Sequence, residues 1–135
     1  MKITQSLIDQ IHRHLEAGYP NEACGVMLGT AGVVTEIARM ENQRNDSASN
    51  RYLIDPLAYS QIERAADKRA MEVIGIYHSH PDVPARPSQF DLDHAWPNLS
   101  YLIVSVCKGK AVETFSWQLR EDRSQFDQES VDIFS

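Results

Sequence analysis

Glu72-Val73-Ile74-Gly75-Ile76-Tyr77-His78-Ser79-His80-Pro81 decides the architecture of this chain, and the run that follows it to Asp91 decides its chemistry. The segment up to Tyr77 is apolar and β-branched enough to be a buried strand. On a strand, side chains i and i+2 leave the same face roughly 6.5–7 Å apart. His78 and His80 can therefore converge on one ion, while Tyr77 and Ser79 face the other way. Pro81 is followed by six residues and then by Ser88-Gln89-Phe90-Asp91, a proline-stiffened approach that brings in a carboxylate. Asp91 would complete three protein ligands and leave a fourth tetrahedral position for water. That is the catalytic pattern for zinc; structural sites close all four positions with protein.

Each residue also has a blander role. Histidines two apart occur in sheets without any metal. Ser88 and Asp91 form a Ser-x-x-Asp capping pattern ahead of a short helical run to Ala95, and Asp91 suits a helix N-terminus electrostatically. Glu22, taken alone, is an ordinary solvated glutamate. The combination carries the argument.

His78-Ser79-His80-Pro81, the six-residue spacer, Ser88 and Asp91 together resemble the signature of the JAMM (MPN+) metallopeptidases, His-x-His-Pro-x6-Ser-x-x-Asp. The segment Pro20-Asn21-Glu22-Ala23-Cys24-Gly25-Val26-Met27-Leu28-Gly29 resembles that family's upstream glutamate segment. The likeness runs from the first helix to about Arg120 and is nearest to compact bacterial and archaeal members acting on sulfur-carrier proteins. It implies one zinc ion per chain, held by His78, His80 and Asp91, with Glu22 as general base and acid and Ser88 stabilising the oxyanion. It implies an α/β fold with a curved mixed sheet flanked by helices, similar in topology to cytidine deaminases. The implied substrate is the amide after the C-terminal Gly-Gly tail of a small ubiquitin-like or sulfur-carrier protein. The group released would be cysteine, a short peptide or a lysine conjugate. The compact chain favours a small adduct over polyubiquitin editing. The alternatives are an MPN-type module that binds such tails without cutting them, and a deaminase. The deaminase lacks its His-x-Glu and Pro-Cys-x-x-Cys ligand segments here.

The chemistry independently needs these residue types. Zinc lowers the pKa of bound water toward ~7. A carboxylate must take the proton and later hand it to the departing amine, and a hydroxyl can donate to the developing negative charge.

Composition narrows the class. A chain of 135 residues supports one domain over 1–135, and its tail after Arg120 reads as an added strand or a docking segment. A net charge of −6 argues against a nucleic-acid partner. The absence of a long apolar run argues against a membrane span, and the N-terminus does not read as a signal peptide. Cys24 and Cys107 read as reduced thiols of a cytoplasmic protein. The oligomeric state stays open, a homodimer included.

Thr4 caps a first helix with Leu7, Ile8, Ile11 and Leu15 as its apolar stripe. Cys24–Leu28 and Val33–Met40 read as a hairpin, 41–50 as a polar loop, and Tyr52-Leu53-Ile54 as a short strand. Asp55-Pro56 starts a second helix running to about Ala70, with Leu57, Ile62, Ala65 and Ala66 as packing positions. Ser100–Cys107 and Val112–Leu119 pair across Lys108-Gly109-Lys110. Trp96 is expected to pack on the sheet, and His94 to be at most a neighbour of the metal site. Asp82–Pro87 and the 41–50 loop are expected to border a groove for the tail.

Overall fold

The computed structural model describes residues 1–42 and 54–135. Among them the elements run β1 (Lys2–Thr4), α1 (Gln5–Gly18), β2 (Cys24–Thr30), β3 (Val33–Met40), α2 (Pro56–Lys68) and β4 (Glu72–Pro81). They continue as α3 (Gln89–His94), β5 (Ser100–Cys107), β6 (Lys110–Leu119), β7 (Phe126–Glu129) and β8 (Asp132–Phe134). The strands form one mixed sheet in the order β7-β6-β5-β4-β2-β3-β1-β8. β4 lies in the middle, antiparallel to β2 and parallel to β5.

The local signals explain the elements. Thr4 Oγ1 accepts from Leu7 N–H at 3.2 Å and caps α1, a device worth about 1 kcal/mol. Ile8, Ile11 and Leu15 recur on one face of α1 and are buried. Asp55 caps α2, with Pro56 at its start. Both β2–β3 and β5–β6 turn through residues with positive φ, Ala31-Gly32 and Lys108-Gly109, as tight hairpins require.

The tail does more than expected. β7 pairs with β6 at one edge of the sheet, while β8 pairs in parallel with β1 at the other. Ser130 and Val131 alone separate the two strands, a gap that extended chain crosses in about 10 Å. The sheet therefore curls until its edges approach each other. α1 lies against β1, β3, β4, β5 and β6, so the curled sheet wraps around it. β1 itself was not legible in the sequence: three residues are too few to show an alternation.

The sheet's two faces bury different clusters. Ile3, Ile8, Ile11, Leu15, Met27, Val34, Tyr77, Leu102, Val104 and Val106 form an apolar core on the α1 face. Cys24, Val26, Leu28, Met40, Ala66, Ile76 and Tyr101 line the face carrying α2 and α3. A register shift in β4 between Val73 and Gly75 accommodates Ile74, so that Ile74 and Tyr77 face α1 while Ile76 faces α2.

Some expectations need correcting. In α2, Leu57 and Ala65 are exposed, and Ala66 is the buried position, because the helix presents a narrower face to the sheet than its apolar content suggests. Trp96 stays 42% exposed, its ring 5.0 Å from that of Tyr59 of α2, and it lines a pocket with the sheet residues Ile76 and Tyr101. Ile54 is buried but not in a strand; Tyr52, Leu53 and the 43–50 part of the polar loop lie outside the described residues.

Candidate metal centre and groove

The register between β2 and β4 pairs Cys24 with His78 and Gly25 with Tyr77. Pairing continues past the end of β2. Ser79 N–H donates to Ala23 O at 3.0 Å, and Ala23 N–H donates to Ser79 Oγ at 2.9 Å. One step further along that register, Glu22 stands opposite His80 on the face shared by Cys24 and His78. Gly25 makes the approach of the strands to α1 workable: a Cβ there would collide with the Tyr77 ring. The Tyr77 hydroxyl reaches His14 Nδ1 at 2.7 Å, tying β4 to α1.

Three ligand atoms, one each from Glu22, His78 and His80, lie within 4.8 Å of one another, and all three residues are buried. Asp91 arrives from α3. His80 Nε2 lies 3.1 Å from Asp91 Oδ2 and 4.0 Å from Glu22 Oε1. His78 Nε2 lies 3.8 Å from Asp91 Oδ1, and His78 Nδ1 lies 3.7 Å from Glu22 Oε1. The Nε2 atoms of both imidazoles thus point toward the Asp91 carboxylate. Asp91 is held there by a capping box: Ser88 N–H donates to Asp91 Oδ2 at 2.8 Å, and Asp91 N–H donates to Ser88 Oγ at 3.1 Å. One residue pair starts the helix and aims the acid.

The surroundings choose which nitrogen of His80 faces inward. Its Nδ1 lies 3.0 Å from Pro84 O, a carbonyl that can only accept, so Nδ1 carries the proton and Nε2 offers its lone pair. The Pro84 carbonyl is itself immobilised. Asp82 N–H donates to Val106 O, Ser105 Oγ donates to Val83 O at 2.6 Å, and the Ala85 N–H and C=O engage Glu113 Oε1 and Trp117 Nε1. The connection from Asp82 to Pro87 is a braced strap across β5 and β6.

The charges answer to this crowding. Burial opposes ionisation of Asp91, but the neighbouring His78, the hydrogen bond and charge of His80, and the Ser88 N–H outweigh it. Its carboxyl is held well below the usual range. Burial likewise pushes the His80 imidazole down, and Asp91, the Pro84 carbonyl and Glu22 lift it above its ordinary value. The metal-free site therefore attracts a proton where a metal ion would displace it. Glu22 Oε2 is buried with no hydrogen-bond partner among the described residues. A buried carboxylate oxygen in that state is costly unless a cation or its water lies beside it. Two imidazole nitrogens with carboxylate oxygens fit zinc better than magnesium or calcium.

A cavity of about 360 Å³ opens beside these groups, lined by Glu22, His80, Pro81, Val83, Pro84, Arg86 and Ser88. Val83, Pro84 and Arg86 of the 82–87 connection border it. Other candidates fall away. The Cys24 thiol is pushed up to about 12, by burial first and Glu22 second, so it stays protonated and inert. His94 is turned to Phe90, its Nδ1 2.9 Å from the Phe90 carbonyl. Tyr101 is core, its hydroxyl accepting from Trp96 N–H. Local sequence reasoning missed Pro84, Glu113, Trp117 and Ser79 as supports, since each acts through a partner distant along the chain.

Residues 4–120 match the family described as prokaryotic homologs of the JAB domain. A probable TtuB-protein conjugate cleaving protease of Thermus thermophilus is 31% identical over 101 residues, covering 75% of this chain and 67% of that one. A desampylase of Haloferax volcanii is 34% identical over 104 residues, covering 72% of this chain and 74% of its own. The solution structure of a Salinibacter ruber protein superposes with a TM-score of 0.77 at 38% identity, covering 98% of this chain and 91% of that one. The chain belongs to the prokaryotic JAB-domain family, with the JAB1/MPN fold. It is a metallopeptidase of the JAMM type.

Proposed function

We propose that the enzyme hydrolyses the amide after the C-terminal Gly-Gly tail of a small ubiquitin-like or sulfur-carrier protein, with residues 1–135 acting as one catalytic domain. The reading rests on one arrangement: two Nε2 atoms and the Asp91 carboxylate converge, and Glu22 stands across the strand pair at the wall of an open cavity. His78, His80 and Asp91 would hold the zinc. Bound there, zinc polarises the scissile carbonyl and makes water acidic enough to ionise near neutral pH.

The remaining steps belong to the chain. The Glu22 carboxylate accepts the proton of the attacking water and returns it to the amine nitrogen as the C–N bond breaks. Ser88 Oγ already accepts from Asp91 N–H, so its own O–H is left to donate to the carbonyl oxygen as charge develops. The Pro84 carbonyl keeps His80 in the tautomer that leaves Nε2 unprotonated. Glycines in the substrate tail let its backbone come close to buried groups that a side chain would keep at a distance. The conjugate-cleaving relatives support this kind of partner. Free thiols at Cys24 and Cys107 suit a reducing cytoplasm, and no helix among the described residues is long and apolar enough to cross a membrane.

Mass spectrometry tests the proposal. Carrier proteins bearing C-terminal adducts, incubated with zinc-loaded enzyme, should end at Gly-Gly. The Glu22→Gln protein should leave them intact. Intact adducts with both proteins would overturn it.

A further inference from the structure

Among the described residues, one arginine lines the cavity beside Glu22, Arg86. Arg86 is exposed, and its side chain makes no ion pair or hydrogen bond among the described residues. Its backbone is nevertheless fixed. Arg86 N–H donates to Pro84 O at 2.8 Å, and the preceding Ala85 is fully buried with N–H and C=O bound to Glu113 and Trp117. The fixed backbone sets where the guanidinium can reach, and its planar fork matches a planar anion.

Its position relative to Glu22 gives it a use. If Glu22 returns the proton to the departing amine, that nitrogen faces Glu22, and the atoms attached to it occupy the cavity that Glu22 lines. In an α-amino acid the carboxylate carbon lies only about 2.5 Å from the nitrogen, so its negative charge enters the same small space. Beside Glu22, in a chain of net charge −6, that carboxylate meets a repulsion that a guanidinium lining the same cavity offsets. A lysine ε-nitrogen is instead followed by methylenes, which gain nothing from a guanidinium.

We infer that Arg86 is a specificity residue that binds the α-carboxylate of the leaving group, so that the enzyme prefers to remove a single C-terminal amino acid over a lysine isopeptide conjugate. This rests on the peptidase function proposed above. The test uses three substrates on one carrier tail: Gly-Gly followed by alanine, by alanine amide, and by a lysine joined through its ε-nitrogen. For zinc-loaded wild type, kcat/KM for the free acid should exceed that for the amide and the isopeptide by about two- to fivefold, the value of one solvent-exposed ion pair. Arg86→Ala should collapse the acid-to-amide ratio to near one, chiefly through the acid substrate, and Arg86→Lys should restore part of it. Equal wild-type rates on acid and amide, or equal slowing of both by Arg86→Ala, would overturn the assignment while leaving the peptidase intact. Cleavage of none of the three would overturn the peptidase function and this inference together.

Discussion

The two faces of the curled sheet are built from the same strands yet solve opposite problems. On the α1 face, β4 contributes Ile74 and Tyr77 to a mainly apolar core, where the Tyr77 hydroxyl is paired with His14. On the other face, the next positions of β4 are His78 and His80, which bury imidazoles against two carboxylates. One face stabilises by removing apolar surface from water. The other gathers polar groups whose full compensation awaits an ion, and stands on the first as its foundation. Stability and chemistry should therefore separate by face, even at adjacent residues.

The largest break in that comparison should come from Glu22→Gln. Loss of the proton carrier should lower kcat by about 10³-fold, within the usual range for a general base, while one zinc per chain is retained by elemental analysis. The metal-free variant should unfold in urea no earlier than wild type, since it removes a buried carboxylate oxygen that lacks a hydrogen bond. Loss of zinc on this substitution would instead make Glu22 a ligand. The converse change is Leu102→Ala, at a fully buried position of the α1 face. It should cost about 2–5 kcal/mol of unfolding free energy and leave kcat unchanged wherever the protein is still folded. A fall in kcat without a fall in stability would erase the distinction between the faces.

Ser88→Ala should straddle the two. It removes both an oxyanion donor and the cap of α3, so kcat should fall about 10²-fold and stability by about 1 kcal/mol. Ser88→Thr should recover the cap.

The smallest effect concerns His12 and His14, whose imidazoles are lowered below their ordinary value, chiefly by burial. The unfolded chain binds their protons near pH ~6.5 while the folded chain still resists them. Stability should thus be full above that pH and decline as pH falls through it. Melting curves of His14→Gln between pH 7 and 5 should be flatter than those of wild type, and parallel curves would assign the pH dependence to other groups.

Much of the site was legible because its signals are local. His78 and His80 are two apart on one strand, and Ser88 and Asp91 form a capping box whose reach is three residues. Cys24, read as a reduced thiol, is a free cysteine and is buried. Glu22 was singled out by resemblance alone, since nothing in its own neighbourhood distinguishes it from a surface glutamate. The tail was harder still. Phe126, Val131, Ile133 and Phe134 are too sparse to reveal two strands, and their pairing partners lie at opposite edges of the sheet. Leu57 looked like a core residue by type and is 65% exposed, because hydrophobicity does not say which side of a helix finds a sheet.

By itself the sequence determined the helices and the longer strands, the caps, the two tight turns and the kinds of donor at the site, for these depend on interactions within a few residues. The tertiary structure decided that Glu22 stands across from His80, that Pro84 selects the His80 nitrogen, and that Glu113 and Trp117 clamp the strap presenting Arg86. Those choices depend on register between strands distant in the chain. Register is settled only when the whole sheet curls around α1 and buries its apolar face at once.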